Sequence, residues 1–251
     1  MSMYSSASIR VAVLLAVFAI TGCATSYQPS QVQYDSVRIT DKAPRDPKLE
    51  AILSPYADSV NSSMNKVIAE LAISMEKKMP EGTLNNLVAD ALLAEANQAY
   101  GAVDAAFVNY GGVRISQIPA GPITIGKVFE LMPFDNLLII QELKGSVFQE
   151  FLNRIAERGG WPVAGVQFVI KDKKAIDVLV GGKPLDPQVT YRVANSDYIA
   201  NGGDDCDMLR KLPQINKGIL MRDAFLQYFE AQTKAGKKLN AELENRIRYA
   251  Q

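Results

Sequence analysis

Apolar residues recur along this chain in two rhythms, one near 3.6 residues and one near 2, and the rhythm changes from segment to segment. Leu49, Ile52, Leu53, Tyr56 and Val60 fall at helical spacing. Further on, Leu71 and Ile73 suit a strand as well as a helix, so the end of this element stays open up to Met75. Residues 81–93 open a strong amphipathic helix with Thr83 as its predicted N-cap. Leu84, Leu87, Val88, Ala91 and Leu92 share one face, while Asn86 and Asp90 lie on a neighbouring one. Those two are read as polar helix positions, or as a loop-fixing hydrogen bond, ahead of any catalytic role. Residues 105–108 predict a buried strand, and residues 119–122 a turn leading through 123–126 into a short helix over 127–132. The clearest strand runs over 137–143. A helix follows over 145–158, and its stripe of Val147, Phe148, Phe151, Leu152 and Ile155 is core. Residues 166–170 and 176–180 read as an antiparallel pair around a charged turn at 171–174. Another turn at 181–184 leads to a β-rich run at 190–194, and a helix over 223–234 turns Phe225, Leu226 and Phe229 inward. Residues 246–249 suit a short last strand. Strands and helices alternate without a regular βαβ rhythm, which predicts a mixed α+β fold.

The first residues follow neither rhythm. Arg10 supplies a positive start, and the apolar run over 11–20 is too short to span a bilayer as a helix. It ends in Ile20-Thr21-Gly22-Cys23, which resembles a bacterial lipobox. The resemblance implies a signal peptide over 1–22, cleavage before Cys23 and lipidation of the Cys23 thiol; an ordinary signal peptide with a chance cysteine is the alternative. Each buried CH₂ of an acyl chain contributes about 0.8 kcal/mol, so several chains anchor stably. Ala24 follows, with no acidic retention signal, which places the expected destination at the outer membrane ahead of the inner one. Residues 23–47 are polar and read as a lipidated flexible tether, leaving 48–251 as one folded domain.

Composition narrows the chemistry. The chain has 251 residues, 48% hydrophobic, with 27 basic and 27 acidic side chains. That balance, with no basic stripe, gives no footprint for nucleic acid. There is no histidine at all. The commonest general base at neutral pH and the commonest transition-metal ligand are therefore missing. No acidic cluster has metal-binding spacing, and no metal or other cofactor is expected. Once Cys23 is lipidated, Cys206 is the remaining thiol and reads as a small buried hydrophobe.

Three turns stand apart from this background. Asn109-Tyr110-Gly111-Gly112-Val113-Arg114 follows the strand at 105–108. Phe134 and Asn136 lie in the turn at 133–136. The third, from Asn195 through Tyr198 and Asn201 to Gly202-Gly203-Asp204, follows the strand at 190–194. A glycine pair lets backbone turn tightly or approach a ligand closely. Arginine offers a planar fork suited to phosphate or ribose oxygens. An aromatic face and a carboxylate on one turn can hold a flat ring bearing hydroxyls. Each turn alone is also an ordinary loop, because Gly, Asn and Asp are common loop residues.

Taken together and in order with the Leu84–Asp90 segment, the three turns resemble the C-terminal domain of bacterial and animal 5′-nucleotidases, over residues 50–250. The resemblance implies a four-layered α/β/β/α sandwich with mixed sheets that binds the nucleoside part of a nucleotide. By position, Phe134 and Tyr198 would sandwich the base, and Asp204, with Gly203 and Asn201 beside it, would accept from the ribose hydroxyls. Asn109 and Asn136 would lie near the base edge, beside Gly111 and Gly112, and Arg114 would reach the ribose or the phosphate. The family usually has an arginine just upstream of Leu84, where Met79-Pro80 stand here with Lys77 and Lys78 nearby. It usually has glycine in place of Asn85 and of Asp205, and an aromatic in place of Cys206. An acid at Asp205 would oppose an approaching phosphate. Full-length relatives carry a metallophosphatase domain, and this chain has no histidine with which to build one. The resemblance therefore implies a hydrolase-family protein with no catalytic residues of its own, the substrate-binding half of a split 5′-nucleotidase whose metallophosphatase is a separate chain. The alternatives are a stand-alone extracytoplasmic nucleoside binder and a catalytically dead adaptor.

Overall fold

The computed structural model describes residues 31, 33–36, 40 and 43–250. The expected signal peptide, the lipobox with Cys23 and most of the expected tether lie outside the described residues. The elements below, from β1 onward, belong to the unit that begins at Ala51.

Helix α1, Pro47–Met64, carries the helical rhythm of the first apolar stretch, and the open boundary resolves into strands β1, Val67–Leu71, and β2, Met75–Glu76. The stripe itself is uncovered: Leu49, Ile52, Leu53, Tyr56 and Val60 are all exposed. Periodicity dictates which side of a helix is apolar, not what covers it.

Helix α2, Thr83–Tyr100, buries Leu84, Leu87, Val88, Ala91 and Leu92, as its spacing requires. Its cap differs from expectation. Gly82 is the N-cap, and Thr83 is the first helical residue. The Thr83 hydroxyl turns away and accepts from the Glu76 backbone N–H at 3.0 Å. Glycine holds the cap because a Cβ there would meet the Glu76 carbonyl oxygen at 2.5 Å and the Lys78 nitrogen at 2.6 Å. The neighbouring polar positions have structural partners. Asn86 donates to Glu81 and to the Glu242 carbonyl, both at 2.7 Å, and Asp90 receives a two-pronged bond from Arg246.

The remaining elements are β3 (Ala105–Phe107), β4 (Gln117–Ile118), β5 (Gly121–Thr124), α3 (Ile125–Leu131), β6 (Leu137–Lys144) and α4 (Gly145–Glu157). They are followed by β7 (Val163–Ala164), β8 (Val166–Lys171), β9 (Lys174–Val180), β10 (Lys183–Pro184) and β11 (Thr190–Ser196). The chain closes with α5 (Asp197–Ala200), β12 (Ile215–Leu220), α6 (Met221–Lys234) and β13 (Ile247–Tyr249).

A five-stranded mixed sheet, β12-β6-β11-β3-β7, divides the interior in two. Its period-2 alternation supplies both sides. Leu138, Ile140, Ala106 and Ala194 point into one core, which α2 and α6 close with Leu84, Leu92, Phe225 and Phe229. Leu143, Ala105, Phe107 and Val193 point into the other. There α4 buries Phe148, Phe151, Leu152 and Ile155, and the four-stranded sheet β10-β9-β8-β13 adds Phe168, Ile170 and Val178. Phe107 meets Phe148 and Phe151 edge-on, with ring centroids 5.8 and 5.0 Å apart, an arrangement the ring quadrupoles favour. The architecture is the mixed helix-and-sheet sandwich expected from the sequence.

Cys206 lies in the second core and is fully buried. Burial first, and then the Asp204 and Asp205 carboxylates, push its thiol from 9.0 up to about 12. The thiolate is the reactive form. Cys206 should therefore resist iodoacetamide at pH 8 in the folded chain and react completely after unfolding, as read by peptide mass spectrometry.

Candidate functional site

Strand pairing brings the three turns together. β11 runs parallel to β3, with Val193 opposite Ala105 and Ala194 opposite Ala106. The C-terminal ends of both strands thus emerge at one edge of the sheet, carrying the 109–114 and 197–204 turns. β6 runs antiparallel to β11, with Ser196 opposite Leu138, so its N-terminal end brings the 133–136 turn to the same edge. Ligands of open α/β sheets characteristically bind outside the carboxyl ends of strands.

The turns are laced to one another. The Leu137 backbone N–H donates to Asp197 Oδ1 at 2.9 Å, joining the second turn to the third. Asn109 Nδ2 donates to Asp204 Oδ2 at 2.9 Å, joining the first to the third. Ser196 N-caps α5, its hydroxyl accepting from the Ile199 N–H at 3.2 Å, and this fixes where Tyr198 leaves the backbone.

Between them is a cavity of about 420 Å³ lined by Asn109, Gly111, Gly112, Arg114, Phe134, Asn136, Tyr198 and Asp204. That volume lies within the range of small-ligand sites. Phe134 and Tyr198 remain 42% and 46% exposed, so neither ring is committed to the core. Asp204 sits between Asn109 and Tyr198, whose hydroxyl donates to its Oδ1 at 3.3 Å. Its engagement is therefore with the residues of the cavity itself. The Arg114 guanidinium stands 5.5 Å from the centroid of the Phe134 ring and donates to the Gly111 carbonyl at 3.1 Å. The lining thus combines two aromatic rings, a carboxylate, amides and a fixed positive charge. A more open depression of about 510 Å³ lies on the β8–β9 face, and among its lining residues no aromatic ring is exposed.

Two of the site residues expected from the sequence stand outside the lining. Asn201 accepts from Gln214 Nε2 at 3.0 Å. Gly203 is placed under the Tyr198 ring: a Cβ on it would come within 2.5 Å of two ring carbons. Tyr198 therefore lies flat on the Gly203 backbone. Asp204 and Asp205 both have left-handed backbone, φ 53° and 59°, which explains why glycine suits the second position and aspartate is tolerated there. Asp205, the acid beside Asp204, pairs with Arg158 at 2.6 Å.

Two supporting roles gave no signal in the sequence, although Lys77 itself stood near the family's arginine position. Lys77 Nζ donates to the Val113 carbonyl at 2.7 Å and lies 4.3 Å from the centroid of the Tyr110 ring, bracing the first turn from behind. Burial and then the Arg114 charge hold its amine below the usual lysine range. Arg222, on α6, bonds Asp135 across 87 residues of sequence.

Fold and cavity together define a mixed α+β sandwich domain with a partly aromatic-lined cavity at the carboxyl ends of two of its main strands. Residues 63–211 match the family model described as "5'-nucleotidase, C-terminal domain". The chain belongs to the 5′-nucleotidase family, in its C-terminal domain. It is 29% identical to Protein UshA of Yersinia enterocolitica over 197 residues, which are 76% of this chain and 36% of that protein. A 5'-nucleotidase of Vibrio parahaemolyticus is 28% identical over 207 residues, or 80% of this chain and 37% of the relative. Among solved structures, a 5'-nucleotidase precursor from Thermus thermophilus superimposes with a TM-score of 0.71 and 30% identity, covering 82% of this chain and 44% of that one. The chain thus spans about a third of the length of the curated relatives it matches.

Proposed function

We propose that this protein binds a nucleoside or nucleotide in the cavity between Phe134 and Tyr198, and that it serves nucleotide breakdown as the substrate-binding half of a split 5′-nucleotidase. The observation that carries the reading is the convergence of two half-exposed aromatic rings and Asp204 on one cavity in a domain of this family. Stacking on an aromatic contributes about 1–3 kcal/mol per base and tolerates different bases. A carboxylate accepting from a ribose diol adds a charge-assisted bond. Asn109 and Asn136 supply amide donors and acceptors for the base edge, and Arg114 a cation for the ribose or phosphate side.

Histidine ligands for a two-metal hydrolytic centre cannot come from this sequence. Metal-activated water would be the contribution of a separate metallophosphatase chain. The lipobox motif at Cys23 leads us to place the protein in a bacterial cell envelope, lipid-anchored, at the outer membrane ahead of the inner one.

The test is calorimetry of the full chain with adenosine and with AMP, followed by AMP hydrolysis assays with a metallophosphatase encoded alongside. Saturable binding and a faster hydrolysis rate on mixing are expected. Absence of binding to both ligands overturns the nucleoside reading. Binding with no pairing and no rate gain overturns the split arrangement and leaves a stand-alone binder.

A further inference from the structure

Phe134 is held by its backbone rather than by packing. Its ring is 42% exposed, and the turn that carries it, residues 133–136, has no regular secondary structure. What fixes that turn comes from α6. Arg222, the second residue of the helix, is 8% exposed. Its Nη2 donates to Asp135 Oδ1 at 2.6 Å, and its Nη1 lies 3.4 and 3.5 Å from the carbonyl oxygens of Pro133 and Phe134. The guanidinium plane rests 4.2 Å from the centroid of the Phe129 ring on α3. The Met221 N–H donates to the Asn136 carbonyl at 2.9 Å, so two successive residues of α6 grip one turn at both ends.

This arrangement differs from an ion pair that stabilises the fold. The Asp135 side chain is 77% exposed, and an exposed partner contributes little to stability. Yet the guanidinium is desolvated, and its Nε is buried with no hydrogen-bond partner. Its side-chain hydrogen bonds end on three successive residues of that turn, Pro133, Phe134 and Asp135. A planar fork can reach a side chain and two carbonyls of one turn at once; a lysine ammonium has no such geometry.

We infer that Arg222 is a positioning residue for the base-binding site, holding Phe134 in its binding orientation before ligand arrives. The inference rests on the nucleoside reading for its purpose, but its geometric content can be measured without ligand. Ordering one side chain and its loop during binding costs an amount that corresponds to roughly a 2- to 12-fold loss of affinity.

The experiment compares the wild-type full chain with R222M, R222K and D135A. Hydrogen exchange of the ligand-free protein is followed by mass spectrometry, and adenosine affinity by calorimetry. Exchange over residues 133–137 is expected to accelerate in R222M and R222K, and less in D135A, while exchange in α2 and β11 stays unchanged. Adenosine affinity is expected to fall 2- to 12-fold in R222M. In an F134A background the same change should cost less than twofold, because the ring it positions is gone. Equal loss in both backgrounds, or unchanged exchange over 133–137, overturns the inference. If R222M unfolds, D135A decides by the same two readouts, since its side chain is exposed. If wild-type protein fails to bind adenosine, the nucleoside reading falls, and exchange alone decides whether Arg222 holds the turn.

Discussion

Alanine at Tyr198 is expected to weaken adenosine binding by about 1–3 kcal/mol, roughly 5- to 150-fold, with little change in thermal stability. The ring is 46% exposed and lies on the Gly203 backbone, so its removal opens no core cavity. Phe134→Ala should act in the same direction and by a similar amount. Tyr198→Phe should cost much less, because it removes only the 3.3 Å bond to Asp204 and keeps the stacking face. Gly203→Ala tests the same geometry without deleting an aromatic atom. The new methyl would come within 2.5 Å of the ring, so the ring must swing away and affinity should fall towards that of Tyr198→Ala. Calorimetry on the four variants checks all of this. Wild-type affinity in both Tyr198→Ala and Phe134→Ala would remove the base sandwich from consideration.

The largest expected effect on stability is at a pair outside the cavity lining. Asp90→Ala should lower stability by about 2 kcal/mol, because the buried Arg246 guanidinium loses a two-pronged charged partner, itself 39% exposed, and keeps Glu244 and the Val163 carbonyl. For a domain of this size that corresponds to a melting point about 4–8 °C lower. Arg246 is 7% exposed and sends Nη1 and Nη2 to the two Asp90 oxygens at 2.7 and 2.8 Å. It also bonds Glu244 and the Val163 carbonyl, each at 2.9 Å. One guanidinium thereby ties α2 to β7 and to the segment entering β13. Glu244→Ala should cost far less, since Asp90 and Val163 still satisfy the arginine. Thermal and urea unfolding of both variants measures the contrast. Equal losses would mean that the network as a whole, rather than the Asp90 pair, bears the charge. Nucleoside affinity should be unchanged in either variant, because neither residue lines the cavity.

What the sequence made readable was local. The stripe of α4 and the run that forms β6 announce themselves because their periodicities are complete within a dozen residues. The three turns of the site stood out because each puts its glycines, amides and aromatics next to one another in the chain. Illegible features were those set by distant partners. Asn109 meets Asp204 across 95 residues, and Arg222 meets Asp135 across 87. No spacing rule links such positions. Propensity favours a hydroxyl and so points to Thr83 as the cap of α2. Close approach of the Glu76 and Lys78 backbone left room only for Gly82. β12, an edge strand with a mostly exposed surface, had no apolar alternation to betray it.

Phe134 precedes β6 and Tyr198 follows β11, and those strands are hydrogen-bonded neighbours. The strand ends from which the two turns depart, Ser196 and Leu138, are therefore held one ladder spacing apart, about 4.8 Å. A slip of one residue between the strands would exchange the faces that Gln141 and Ile140 present, which the two cores forbid. The separation of the two turns at their roots is thus inherited from the sheet, much as the width of a track is set by its sleepers. Widening the cavity would fall to the turns above the sheet, since exchanging side chains within it leaves the strand spacing unchanged.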